Sequence, residues 1–379
     1  MSFQKRYVAL ACTITVALAG CSTGSLSTAS AGDTSKSAKD QKLGVVGTQN
    51  QIQDIKSFCG TKPLTVAFAD GFGGNSWRKI TRKIFELEAA KCPNIKKVIY
   101  TDAQGDTQKA ISDINSLVAQ RVDVIVSFVD GGQALLPTIK KATAAGVKVV
   151  PFVGSPGGVP GKDYVDFVSE DISTYGSALA EWTIKAMHAK GNLVMLGGIA
   201  GNSYSKGVYD GAVAAAKKYP GIKLLNTDGP VATDWEPGKT QQVVAGLITK
   251  YGSINGIVSD YGGGSVGGVR AFIAANKPLP VWSANDSNEF ACLWDQYKGA
   301  QPTYQIATES SRNWIVAVAL HKGLAAANGI TDNEPSTYDL QIIEDSTNAS
   351  EQPKCEKTLP PDAILSSGLT IDQLKTLFS

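Results

Sequence analysis

Histidine is scarce in this chain: 379 residues carry only His188 and His321. That leaves little for imidazole acid–base chemistry or for a histidine-rich metal centre. Charge is also sparse. Charged residues make up 18% of the chain, and 36 basic against 34 acidic side chains leave a net charge of +2. Such a balance argues against a nucleic-acid partner, which favours a clustered basic excess. No apolar run reaches the roughly 18 residues that a transmembrane helix needs. What the chain does have is core-forming material, 43% hydrophobic. At roughly 100–200 residues per domain, its length suggests two domains.

The first residues read as a targeting signal and are set apart from the fold. Lys5 and Arg6 precede an apolar stretch of 13 residues, Tyr7 to Ala19, which ends in Leu18-Ala19-Gly20-Cys21. Residues 1–20 are expected to be a lipoprotein signal peptide, with Cys21 as the lipidated first mature residue. The alternative is an ordinary secretory signal cleaved a few residues later. Ser, Thr, Ala, Gly and Lys dominate from Ser22 to Gln41, too few apolar groups to offset the entropy of ordering. A flexible lipidated tether is expected over residues 21–60, holding a soluble protein at a membrane surface.

Once Cys12 leaves with the signal and Cys21 is acylated, Cys59, Cys92, Cys292 and Cys355 remain. An even number in an oxidising compartment favours disulfides, and four cysteines allow three pairings. Proximity makes Cys59 with Cys92 plausible, and Cys292 with Cys355 would then tie the C-terminal tail back. None lies in a CxxC, so no zinc site is expected.

From residue 63 short apolar runs alternate with amphipathic ones. Leu64–Ala69, Lys97–Tyr100, Val124–Phe128 and Val147–Val153 read as strands, with helices at Ser76–Lys91, Thr107–Ala119 and Ala134–Ala145. The pattern restarts with strands Leu193–Leu196, Lys223–Leu225, Gly256–Ser259, Leu279–Ser283 and Tyr304–Ala307. Helices at Ser205–Lys218, Thr240–Lys250 and Gly267–Ala275 separate them, and Arg312–Gly323 reads as a late helix. The pattern predicts an α/β chain with two doubly wound parallel-sheet lobes. Ligands of such sheets collect outside the carboxyl ends of the strands. Those ends carry Asp70, Asn75, Trp77 and Arg78, then Asp130, then Trp235, Asp260, Tyr261 and Asn285. Aromatic faces suit sugar C–H groups, and carboxylates and amides suit hydroxyls.

Three motifs point elsewhere. Gly262–Gly267 satisfies GxGxxG with Asp286 some twenty residues on, a formal dinucleotide fingerprint. It overlaps Gly263–Gly267, a GxSxG that would make Ser265 a hydrolase nucleophile. A triad would then need His321, which sits inside the apolar run Ile315–Leu324, while His188 precedes Ser265 and lies at a helix end. Gly238-Lys239-Thr240 resembles the end of a phosphate-binding loop, but Thr233 stands where its first glycine should be. No cofactor, metal or catalytic residue is expected.

Taken together, Asn75-Ser76-Trp77, Gly198–Ser203, Trp235 after Thr233-Asp234, Gly267–Ala271 and Gln305-Ile306-Ala307 resemble the type I periplasmic-binding-protein superfamily, specifically its ribose-binding-like sugar branch. The resemblance covers roughly residues 63–343. It implies a venus-flytrap receptor that delivers ligand to an ABC importer permease, with three hinge crossings near Ser169, Thr308 and Leu340. The lobes would then be 61–169 with 309–340, and 170–308 with 341–352, followed by a polar tail, 353–379. Position by position, Asn75 and Trp77 resemble the first lobe's ligand contacts and Trp235 the second lobe's aromatic. Tyr261 or Asp260, Asn285, and Thr308 or Glu309 fall at its polar contacts. The chain departs from ribose-type relatives at Val153-Gly154, where they often carry Asp-Arg, and at Val208, where they carry arginine with only Lys206 nearby here. Those losses put ribose in doubt and favour another small sugar or a sugar alcohol. The expected molecule is a monomer, tethered by lipid, that closes on its ligand. A sugar-sensing lipoprotein of the same fold and a hydrolase using Ser265 are the alternatives.

Overall fold

The computed structural model describes residues 43–379. The expected signal peptide, the lipidated Cys21 and the first part of the tether therefore lie outside the described residues.

The first sheet is parallel throughout. It is built from β2 (Leu64–Asp70), β3 (Ile95–Asp102), β4 (Val124–Ser127) and β5 (Lys148–Pro151), in the order β3-β2-β4-β5, with β1 (Val46–Gly47) lying elsewhere. The inner strands are near-continuous apolar runs because helices cover both faces. Phe68, Val126 and Val150 pack on one side, and Ala67, Ile125 and Val149 on the other. The edge strand β3 instead carries exposed Lys96 and Lys97, which discourage edge-to-edge pairing. The intervening helices are α1 (Ser76–Ala90), α2 (Thr107–Ala119) and α3 (Leu136–Ala144). Asn75 and Asp106 cap α1 and α2, their side chains accepting bonds from Arg78 N and from Gln108 N and Lys109 N.

β6 (Ser169–Glu170) leads into the second lobe. Its elements are α4 (Ile172–Ala186), β7 (Gly191–Gly197), α5 (Ser203–Ala216), β8 (Ile222–Leu224), β9 (Val231–Ala232), α6 (Pro237–Tyr251), β10 (Gly256–Ser259), α7 (Gly262–Ala274), β11 (Val281–Asn285), α8 (Asn288–Tyr297) and β12 (Ile306–Glu309). After β12 the chain returns to the first sheet, where α9 (Ile315–Asn328) packs on β4 and β5 so closely that a Cβ on Gly323 would overlap Val124. β13 (Thr337–Tyr338) then pairs with both β1 and β6 in a small three-stranded sheet. β14 (Ile342–Asp345) adds an antiparallel edge to β12, giving the order β14-β12-β11-β10-β7-β8 with β9 also on β7. The two doubly wound lobes expected from the sequence are present.

Two segments differ from their expected character. Residues 43–60, expected within the tether, are structured: β1 pairs with β13, Ile55 and Phe58 are buried, and Cys59 is bonded to Cys92. The last residues, expected to be a polar tail, bury Leu359, Ala363, Ile364 and Leu374, and α10 (Ile371–Leu377) packs against α1. Cys355 is bonded to Cys292, and the Asn288 amide donates to three carbonyls of the segment, Glu356, Leu359 and Pro360. In both segments the stabilising partners are distant in sequence, so no local periodicity announces them. A smaller difference is that α9 starts three residues after Arg312, which has a left-handed φ of 45°.

Candidate functional site

The carboxyl ends of both sheets face one cleft. On the first lobe, β2 ends in Asp70, and the cap Asn75 sets the first turn of α1 so that Trp77 and Arg78 reach the cleft. Arg78 is clamped: Nη1 donates to Asp70 Oδ1 at 2.7 Å, and Nη2 to both oxygens of Asp130 at 2.9 and 3.0 Å. Its guanidinium lies 3.4 Å from the centre of the Phe128 ring, within cation–π range. Gly71 makes room for the pair, since a Cβ there would overlap the Asp130 carboxylate. Burial pushes Asp130 up to about 6, with Arg78 opposing that shift and Asp70 adding to it. Trp77 is fixed by its indole, which donates to Ser311 O at 2.6 Å.

On the second lobe the central group is Asp260, just beyond β10. Ser205 Oγ donates to its Oδ2 at 2.5 Å and Trp235 Nε1 to its Oδ1 at 3.0 Å. Burial raises Asp260 to about 6, against the pull of these two donors. Trp235 has a left-handed φ of 56°, a conformation a bulky residue adopts only under constraint. Gly198 is part of that constraint, because a Cβ there would overlap the indole. Asn285 accepts from Gly262 N at 2.5 Å and donates to Asp260 O at 3.4 Å, holding the start of α7 against β11. The lobes touch across the mouth, where Asn202 Nδ2 donates to Asp130 Oδ1 at 3.1 Å and Phe72 meets Trp235 edge-on with ring centres 5.9 Å apart.

The cavity between these walls spans about 300 Å³ when its opening to solvent is counted, with about 30 Å³ of interior room. Of the expected site residues, Asn75, Trp77 and Arg78 line one wall, and Trp235, Asp260, Tyr261 and Asn285 the other. Asp70 and Asp130 stand behind Arg78 rather than on the surface of the cavity. Thr308 is a correction: it is absent from the lining, and its hydroxyl donates to Glu344 Oε2 at 2.7 Å on the β14 side. Glu309, the other residue considered there, is fully buried at the end of β12, with neither carboxylate oxygen hydrogen-bonded among the described residues. Sequence reasoning missed Phe128, Tyr204 and Arg312, all of which line the cavity. Phe128 was legible as the last residue of an apolar strand, and Tyr204 follows the cap Asn202. Arg312 sat inside an expected helix.

The competing motifs resolve into packing. Ser265 is fully buried in α7, donating to Tyr261 O and accepting from Trp282 Nε1, so it is not an exposed nucleophile. In the glycine run, a Cβ on Gly267 would overlap Pro237 O, and one on Gly262 would overlap Asn285 O. These glycines therefore serve close helix contact. His321 lies under the first lobe, bonded to Glu334 and Glu88. Burial opposes its charge, but those two carboxylates outweigh it and raise the ring to about 9. A larger groove of about 730 Å³ opens at the other end of the second lobe, beside Met187, His188 and Pro278. It has no comparable set of buried charged groups.

Fold and cleft define a two-lobed α/β protein of the binding-protein type, with a polar and aromatic cleft between the lobes. Residues 66–297 match the family described as Periplasmic binding protein domain, and the chain belongs to that family. A xylitol-binding protein of Mycolicibacterium smegmatis is 24% identical over 263 residues, 69% of this chain and 66% of that protein. A D-xylose-binding periplasmic protein of Haemophilus influenzae is 25% identical over 233 residues, 59% of this chain and again 66% of the relative. The matched stretch thus falls just short of two thirds of each relative's length. Among solved structures, an ABC transporter solute-binding protein of Thermobispora bispora superposes with a TM-score of 0.67 at 21% identity, covering 83% of this chain and 94% of that one. At that identity the likeness concerns the fold.

Proposed function

We propose that this protein is an extracytoplasmic solute-binding protein that captures a small neutral sugar or sugar alcohol between its lobes and delivers it to an ABC importer permease. The observation that carries this reading is the cavity itself. Trp77 and Trp235 supply apolar faces from opposite lobes, while the charged groups Arg78, Asp260 and Arg312 on its walls each have an internal counter-charge or donor. The room between the walls is about 30 Å³, well below the roughly 300–1,000 Å³ typical of small-molecule sites, so a sugar enters only when the lobes part. Xylitol and xylose, named for the two relatives, are the first candidates. Closure would follow from a ligand that touches both lobes and so favours the closed population. In this reading Cys21 carries the lipid, and the protein acts as a monomer without catalysis.

The test is a thermal-shift panel of the full chain carrying Cys21→Ser, which avoids lipidation, against pentoses, hexoses, sugar alcohols and inositols. At about 100 times its dissociation constant a ligand adds roughly 2.7 kcal/mol, which is expected to raise Tm by several degrees for one ligand class. Flat curves across the panel would overturn the sugar reading.

A further inference from the structure

The two arginines of the cavity differ in what they have left to offer. Arg78 is committed to Asp70 and Asp130. Arg312, 3% exposed, sits where the chain passes from β12 back to the first lobe. Its Nε lies 2.6 Å from Glu170 Oε1, and Glu170 belongs to β6, the earlier passage between the lobes. The guanidinium carbon is 4.7 Å from the centre of the Tyr204 ring, 5.3 Å from Tyr175 and 5.8 Å from Trp77. The contact with Glu170 is an ion pair without hydrogen-bond alignment; Nε and Nη1 are both buried and neither makes a hydrogen bond among the described residues, nor do the hydroxyls of Tyr175 and Tyr204 beside them. A buried guanidinium donor without a partner is uncommon and calls for a missing acceptor. The side chain lines the cavity, so a ligand can supply that acceptor.

The charge around this donor restricts the acceptor. Glu170 already balances Arg312, and two aspartates balance Arg78, with Asp260 and the buried Glu309 carboxyl close by. The cavity therefore has no positive excess for a carboxylate or phosphate, whereas a hydroxyl or ring oxygen needs none. We infer that Arg312 is the specificity-determining donor of the site, its Nη1 donating to an oxygen of a neutral polyhydroxylated ligand while Nε stays paired with Glu170. This deepens the sugar-binding reading and rests on it. It also makes the bound ligand contiguous with both chain passages about which the lobes would close.

The experiment measures calorimetric affinities for D-xylose, xylitol, myo-inositol and the anion D-xylonate. The proteins are the Cys21→Ser chain and its Arg312→Lys, Arg312→Met and Glu170→Gln/Arg312→Met derivatives. The double variant leaves no unpaired carboxylate at position 170, and Arg312→Lys keeps the charge beside Glu170, so at least one folded variant reports. The best neutral ligand of the parent is expected to lose about 100-fold in affinity with Arg312→Met and with the double variant, and about 10-fold or more with Arg312→Lys. The melting temperature of the ligand-free double variant is expected to stay near the parent's. A folded variant within threefold of the parent would overturn the role of Arg312 while leaving the sugar reading intact. Tighter binding of D-xylonate than of D-xylose would overturn the neutral-ligand assignment. Absence of binding by the parent would overturn the sugar reading, and this inference with it.

Discussion

The two walls of the cleft hold their charges in opposite ways. On the first lobe a cation is clamped by two anions, Arg78 between Asp70 and Asp130, with the Phe128 ring beneath it. On the second lobe an anion takes its hydrogen bonds from neutral donors, Asp260 between Ser205 and Trp235, with the Arg312 charge nearby. An ion cluster of the first kind is closed upon itself. Removing one member strands the others, so its effect falls on stability. A buried carboxylate held by neutral donors can change its charge without stranding a cation, so its effect falls on ligand binding.

The largest expected effect breaks the first wall. Arg78→Met leaves two buried carboxylates unpaired, and denaturant unfolding should show a loss of about 3–5 kcal/mol. Adding Asp70→Asn and Asp130→Asn to it should recover much of that loss. The next prediction concerns the second wall. Asp260→Asn keeps the size of the side chain but removes a charged acceptor, and calorimetry should show about 1.5–3 kcal/mol lost from ligand binding, with a smaller change in ligand-free stability.

The pH response is shared by the two walls. The folded state raises Asp260 and Asp130 from 3.8 to about 6. Between these values the folded protein holds more protons than the unfolded chain, so this contribution to stability falls as pH rises from about 4 to 6 and is level above. Unfolding followed against pH should show that slope flattened in Asp260→Asn. His321 works in a higher window. Raised from 6.5 to about 9, its contribution is complete below 6.5 and lost as pH rises through 9, and His321→Gln should remove that alkaline decline.

The smallest effect joins the two walls. Asn202 caps α5 and also reaches Asp130 across the mouth. Asn202→Ser keeps a capping side chain but is too short for the bridge, so ligand affinity should fall by about 0.5–1.5 kcal/mol with the melting temperature almost unchanged.

This contrast also separates what sequence reasoning reached from what it did not. Parallel strands buried on both faces leave apolar runs, and the polar residues just beyond them pointed to Asn75, Trp77, Arg78, Trp235, Asp260, Tyr261 and Asn285, all of which line the cavity. The pairing of Arg78 with Asp130 was not legible, because 52 residues separate them. Thr308 misled for a local reason: a strand sends alternate side chains to opposite faces, and this one turns toward Glu344. Arg312 was hidden because an arginine at the head of an apolar run reads as the start of a helix. Only the left-handed turn at that position and the distant Glu170 reveal its place.

The most direct test is a crystal structure of the protein with the best ligand of the panel. The account predicts ligand density between Trp77 and Trp235, with one ligand oxygen within hydrogen-bond distance of Arg312 Nη1 and another near Asp260. Ligand in the larger groove beside Met187 and Pro278, with the cleft between the lobes left empty, would contradict it.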